Sequence, residues 1–442
     1  MLHITLIKAI TKPLTGAVGF IQGAASALWT FPSVLGSALL IAWAAEAAQF
    51  LLSQGLALAI LAWLQTLPEF AVEAVIAWEA GQAARNFPPH SYEAQHATAL
   101  MTANFTGSLR LLVGLGWPMI YVTAAMFYRR GKKERLREIQ LENEHAVEII
   151  FLLVAIGYFI IVYLKGTLTW VDTIILSVIY FVYLFFLNKI PPQEEEKMED
   201  IERIPRFILK QRRGLRNAMI VGLFMGGGLI LFFAAHPFLE SLKAIAVGLG
   251  ISTFVFVQWV APFLSEFPEK VSAFNWARRV TTAPIALMNM VSSNINQWTM
   301  LVAMLPIAYA IAYGGFSTIV FDSHQKVEIL MTIGQSLLGA LLLANMRFAW
   351  WEAVLLFTLW IIQFILSGFE KPLDPAAHNS LAQWLATWLS TGVELIESIA
   401  HIGKEIITYI YFVWSAGVIV MAFKRRSFEA ITVFPRLMRE HW

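Results

Sequence analysis

Thr66-Leu67-Pro68-Glu69 interrupts a long apolar stretch, and Ser265-Glu266-Phe267-Pro268-Glu269 does the same in the second half of the chain. Proline lacks the N–H that a helix interior needs, and its ring crowds the carbonyl four residues back, here that of Leu64. In lipid, such a break is tolerated only where protein or a water-filled cavity takes up the freed groups. A glutamate directly after the break is a second cost, and an ionisable side chain inside a membrane is a functional-site hypothesis by default. Each Pro-Glu pair is followed by a second polar element. The first is Asn104-Phe105-Thr106-Gly107-Ser108, the second Asn289-Met290-Val291-Ser292-Ser293-Asn294. A kinked helix whose Glu reaches the interface would explain one copy. Two copies in the same order mark an internal repeat with a site between the halves.

The 442 residues are 58% hydrophobic and 14% charged, which places the chain among polytopic membrane proteins, with the lipid bilayer as its surroundings. A net charge of +2 gives no argument for nucleic acid. Cys is absent, so disulfides, thiolate metal sites and cysteine nucleophiles are excluded. The nine His residues show no ligand spacing and read as solvated or interfacial. The oligomeric state is open.

Residues 1–30 read as an N-terminal membrane-associated helix; Ala25-Ser26-Ala27 is a weak match to a signal-peptide cleavage site. Residues 31–189 read as a five-helix repeat, with spans at about 33–52 (carrying Glu46), 54–80, 97–127, 146–165 and 169–188. Residues 190–216 read as a solvated cytoplasmic connector, acidic at Glu194–Glu196 and then basic. Residues 217–367 repeat the plan, with spans at about 217–236, 243–277, 281–313, 327–345 and 348–367. Gly226-Gly227-Gly228 would allow close helix approach. Residues 368–442 read as an extracytoplasmic loop, an amphipathic stretch near Leu381–Ser390, a last span at about 404–423 and a cytoplasmic tail. The expected fold is an all-α polytopic membrane protein of two inverted repeats of five transmembrane helices plus a C-terminal transmembrane helix. Lys/Arg asymmetry supports the inversion. The connector after the third span carries Arg129, Arg130, Lys132, Lys133, Arg135 and Arg137, whereas its counterpart, about 314–326, carries only Lys326. Arg129–Arg137 and Lys189–Arg216 are therefore expected inside, and 314–326 outside.

If the two breaks meet, Glu69 and Glu269 face each other beside freed carbonyls. Asn104, Asn289, Thr66, Ser108, Ser265, and Ser292 or Ser293 add neutral oxygens. Such a hard-oxygen set suits calcium or, with fewer charges, sodium, and argues against zinc, copper and iron.

These paired motifs resemble the calcium/cation antiporter superfamily, the sodium/calcium and proton/calcium exchangers, over roughly residues 33–367. That family's pattern is Ser/Thr-Leu-Pro-Glu on one helix and Gly-Asn-x-x-Gly-Ser-Asn on the next, in both halves. Thr66–Glu69, Asn104 with Gly107-Ser108, Pro268-Glu269, and Asn289 with Ser292–Asn294 match it. The resemblance implies a transporter and not an enzyme, without a cofactor, in a multi-pass position in a bacterial or archaeal inner membrane. It implies calcium bound between Glu69 and Glu269 and exported for protons or sodium by alternating access. The alternatives are transport of another cation or a channel-like leak, a degenerate non-transporting protein, and an intramembrane enzyme acting on lipid phosphates. The last would want convergent Arg and His with a nucleophile, and Arg110 is the only basic residue deep in a motif.

Four departures from the family pattern carry expectations. Glu266 replaces a hydroxyl and lies one turn from Glu269 on the same helix face, so it is the candidate titratable coupling group; otherwise it simply pairs with Lys270, which follows Glu269. Gln65 replaces another hydroxyl. Leu109 and Leu112 stand where the family's second Asn pair would offer oxygens to sodium, which favours proton coupling. Arg110 reads either as a partner of Glu73, one turn from Glu69, or as an interfacial, snorkelling side chain.

Overall fold

The computed structural model describes residues 2–51, 64, 66–189, 201–372, 379–425 and 428–441, with backbone alone for 2–24, 49, 425 and 441. The chain is an all-α polytopic membrane bundle. Among the described residues, nine helices are long and apolar enough to cross a membrane.

The first half holds α1 (Leu2–Gln49), α2 (Leu67–Asn86), α3 (Tyr92–Leu111), α4 (Trp117–Lys132), α5 (Ala146–Lys165) and α6 (Trp170–Lys189). A short α7 (Arg203–Leu209) leads into the second half. That half holds α8 (Arg213–Leu249), α9 (Thr253–Ser265), α10 (Phe267–Ala277), α11 (Ala283–Asn296), α12 (Val302–Tyr313), α13 (Ser323–Leu343) and α14 (Trp350–Ser367). Then come α15 (Ser380–Leu389), α16 (Val393–Arg425) and α17 (Glu429–His441).

Among the described residues, several elements of the two halves correspond. α3 and α4 are one rod interrupted by a π-helical turn at Leu112–Gly116, and α11 and α12 are joined by the same kind of turn at Gln297–Leu301. π turns are rare and favour functional sites; these two each begin eight residues after the motif asparagine, Asn104 or Asn289. Helices of the two halves cross-pack: α2 lies on α12, and α9 lies on α3. Gly107 of α3 allows the second contact, because a Cβ there would land on the backbone carbonyl of Gln258 in α9.

Four short strands tie the ends. β1 (Glu138–Gln140) pairs antiparallel with β4 (Arg347–Ala349), and β2 (Thr167–Leu168) pairs antiparallel with β3 (Ile319–Val320). β1 and β2 flank α5, and β3 and β4 flank α13. Each sheet therefore joins the start of one helix to the end of the other. The equivalent strands β1 and β3 sit at opposite ends of the bundle, the arrangement that inversion requires.

Enclosure is uneven. In the most apolar stretch of each span, 78% of residues are buried in α13 and 67% in α11–α12, against 22% in α6. The polar motifs lie on enclosed helices, where an unpaired polar atom is costly.

Several expected boundaries move. α1 runs unbroken across position 30, and Pro32 does not end it. Residues 52–63 and Gln65, part of the expected second span, lie outside the described residues, as does 190–200 of the connector. α8 runs through Pro237 to Leu249, well past the expected end near 236, and stops where Gly250 turns left-handed (φ 64°). Of the three adjacent glycines only Gly227 meets another helix, packing on Ser37 and Ile41 of α1. The described part of the connector is docked, not free in solvent. Ile201 and Ile208 are buried with Ala44 and Ala47, and Glu202 accepts hydrogen bonds from Trp43 (2.8 Å) and Asn275 (2.8 Å). The last span starts at Val393, so Lys404 lies within the helix instead of at its edge. His145, expected to be solvated, is buried, with Nδ1 3.7 Å from Oε1 of Glu148.

Candidate functional site

Pro68 and Pro268 are each the second residue of a helix, α2 and α10, where a missing N–H costs no hydrogen bond. The chain before Pro268 is a true break: α9 ends at Ser265, α10 begins at Phe267, and Glu266 joins them at φ −91°, ψ 2°. Glu69 and Glu269 thus occupy the first turns of α2 and α10, at the positive end of the helix dipole.

Glu266 forms the bridge between the halves. Its carboxyl accepts from the Ser108 hydroxyl, from Nε2 of Gln297 (3.0 Å) and from Nζ of Lys270 (2.5 Å). The same Gln297 amide donates to Glu69 at 2.7 Å. Glu266 lies within electrostatic reach of both Glu69 and Glu269, and Ser293 lies beside the Glu269 carboxyl. Asn104 donates to Glu73, and Asn296 donates to the Thr66 hydroxyl at 2.6 Å. Glu69, Glu73, Glu266, Glu269, Asn104, Ser108 and Ser293 are all buried.

The oxygen atoms that remain are informative. Oε1 of Glu69, Oε1 of Glu73, both carboxyl oxygens of Glu269, Oδ1 of Asn104 and Oε1 of Gln297 are buried and accept no hydrogen bond among the described residues. Each such atom costs roughly 1–3 kcal/mol, which for this group is of the order of a whole domain's stability. An apolar core would avoid that cost. Buried acceptors without donors are what a hard cation satisfies.

Not every expected ligand points here. The Ser265 hydroxyl donates back to the Ala261 carbonyl of its own helix (3.1 Å), and the Ser292 hydroxyl is bonded to that of Tyr183 on α6 (2.8 Å). Asn289 is buried on α11, one turn before Ser293. The pairing of Glu266 with Lys270 is formed. Both readings of Arg110 give way. It is fully buried, with Nη2 2.6 Å from Glu328 of α13 and Nη1 3.3 Å from Gln363 of α14, while Glu73 takes Asn104. Arg110 and Ser108 are two residues apart and so lie on nearly opposite faces of α3.

The residues that motif reading missed are Asn296 and Gln297. Asn289, Ser293, Asn296 and Gln297 fall at i, i+4, i+7 and i+8, one helical face. Following that polar stripe past Asn294 would have found them.

The chain matches the family model described as sodium/calcium exchanger protein over residues 23–189 and 219–369. Among solved structures it is similar to the H+/Ca2+ exchanger CAX, at 27% identity and a TM-score of 0.77, over 99% of this chain and 97% of that one. It is also similar to the sodium-calcium exchanger NCX_Mj, at 18% identity and a TM-score of 0.48, over 78% of this chain and 99% of that one. The comparison with curated proteins gave no match.

Proposed function

We propose that this chain, which belongs to the sodium/calcium exchanger protein family, is a secondary cation antiporter that moves calcium out of a bacterial or archaeal cytoplasm in exchange for protons. The observation that carries the reading is the set of buried, donor-free oxygens on Glu69, Glu269, Asn104 and Gln297. Two carboxylates neutralise a divalent ion, and the neutral oxygens raise the ligand number toward the six to eight that calcium takes. Asn289, Ser293 and Thr66 complete the lining in this reading.

Lys270 with Glu266 is assigned the part of a fixed pair, since the ammonium, the Gln297 amide and the Ser108 hydroxyl already surround that carboxyl. The coupling proton then goes to Glu69 and Glu269 themselves, so that protons and calcium compete for the same oxygens. Glu73 modulates from beside Asn104, and Arg110 stabilises the fold around the site. Protons are preferred over sodium for two reasons. Leu109 and Leu112 offer no oxygen where Asn294 and Gln297 do in the other half, and the likeness to the H+/Ca2+ exchanger CAX spans nearly the whole chain.

Uptake of radioactive calcium into proteoliposomes, measured as a function of calcium at several fixed pH values, tests this. The apparent KM should rise as pH falls while the maximal rate at saturating calcium holds, and Glu69→Gln or Glu269→Gln should remove uptake. Full uptake by both variants would remove the site from the account.

A further inference from the structure

A second buried charge centre lies across α3 from the site, and part of it comes from outside the family-matched segments. Glu328 of α13 accepts from Nη2 of Arg110 (2.6 Å), from Nε2 of Gln258 (2.8 Å) and from Nζ of Lys404. Lys404 also reaches Glu370 at 2.7 Å. Arg110, Gln258, Glu328 and Lys404 are each at most 1% exposed, and Glu370 is 8% exposed. Of the fixed charges, two cations and two carboxylates balance, and the His324 imidazole stands within 4.8 Å of both carboxylates. The Trp259 ring stacks 4.9 Å from the Arg110 guanidinium, and Gln335 of α13 donates to the Arg110 carbonyl (2.9 Å).

Arg110 belongs to α3 and Gln258 to α9. These are the helices that carry Ser108 and lead into Glu266, whose hydrogen bond closes the cation site. Glu328 therefore bridges the same two helices a second time. The bridge depends on charge, because Arg110 is a single fixed cation facing Glu328 and Glu370, with only the titratable His324 imidazole beside them. The missing cation is Lys404, supplied by α16, well past residue 369 where the family match ends.

We propose that Lys404 is a positioning residue for transport. By balancing Glu328 and Glu370 it lets Glu328 hold α3 and α9 in register, so that Ser108 meets Glu266 across the site. The C-terminal helix is then part of the transport machinery. Removing one member of a buried ionic group leaves an uncompensated charge, whereas removing an opposite pair does not. The test uses that difference and rests on the proposed calcium transport.

Lys404→Met, the double variant Lys404→Met/Glu370→Gln, and Lys404→Arg are purified and reconstituted, and calcium uptake and thermal unfolding are recorded for each. Lys404→Met should raise the apparent KM for calcium at least about tenfold with a smaller change in maximal rate. The double variant, balanced again, should return to within about threefold of the parent, and Lys404→Arg should resemble the parent. A Lys404→Met protein with parental KM would overturn the proposal. So would a lowered melting temperature with unchanged KM, or a double variant that transports or folds no better than the single one. Absence of calcium uptake by the unmodified chain would instead count against the proposed function.

Discussion

The two halves bring the same backbone device to the site and furnish it with different side chains. Each supplies a proline at the second position of a helix, a glutamate after it, an asparagine on the following helix, and a π turn eight residues later. Aligned on those features, Glu73 stands opposite Ala273, Thr66 opposite Glu266, and Phe70 opposite Lys270. Leu109, Leu111 and Leu112 stand opposite Asn294, Asn296 and Gln297, and Arg110 stands opposite Ile295. The shared features are those that make a carboxylate-bearing helix start possible in lipid. In the proposed transport, the unshared ones decide which oxygens surround the ion and which charges are fixed. On that proposal, symmetry belongs to the scaffold and asymmetry to ion selection.

The largest expected effect tests the symmetric part. Glu69→Gln and Glu269→Gln should each lower calcium uptake at least about a hundredfold, equivalent to ~2.7 kcal/mol. A large loss for one and parental uptake for the other would break the equivalence of the halves. Next comes the asymmetric bridge. Gln297→Leu gives the second half the residue that the first has at Leu112, and it removes the amide shared by Glu69 and Glu266. A rise of about 10–100-fold in the KM for calcium is expected from flux measurements, the range for losing a group that orients ligands. No change would make Gln297 a bystander.

The symmetric part was legible in the sequence because proline and glutamate in an apolar run have few structural uses. The fold class followed from hydrophobic runs, and the charged loops suggested inversion. The asymmetric part was harder to read. Gln297 lies at the first residue of a π turn, past the last residue of the recognised motif, and only the helical face it shares with Asn289 and Ser293 points to it. The partner of Arg110 is 218 residues away on α13, and a single sequence carries no signal for such a pair. Lys404 looked like the edge of a span because Glu394, Glu397 and Glu405 surround it, yet α16 begins at Val393 and buries it. The docked connector was missed for a similar reason: Glu202 reads as a surface charge until Trp43 and Asn275 are seen to donate to it.

A smaller effect sharpens the comparison at Glu73. Glu73→Ala copies the second half's Ala273 and strips Asn104 of its acceptor. The KM for calcium should rise by about threefold to tenfold, measured as before. The smallest effect concerns stability at α1 and α8. Gly227→Ala should lower stability by about 1–3 kcal/mol through overpacking against Ser37 and Ile41. Gly226→Ala, whose new methyl would meet nothing within 4 Å, should not lower the melting temperature.

The absence of cysteine permits a direct test of the inverted arrangement. Single cysteines at Gln140 and Val320, on the equivalent strands β1 and β3, should be labelled by an impermeant reagent from opposite sides of the membrane. Labelling from one side would break the inversion.

The central claim is that calcium and protons exchange at the paired carboxylates. Its most direct test is radioactive calcium uptake into proteoliposomes carrying either a pH gradient at equal sodium or a sodium gradient at equal pH. The account predicts accumulation driven by the pH gradient, none by the sodium gradient, and loss of the driven flux in Glu269→Gln. Sodium-driven accumulation at constant pH would contradict it.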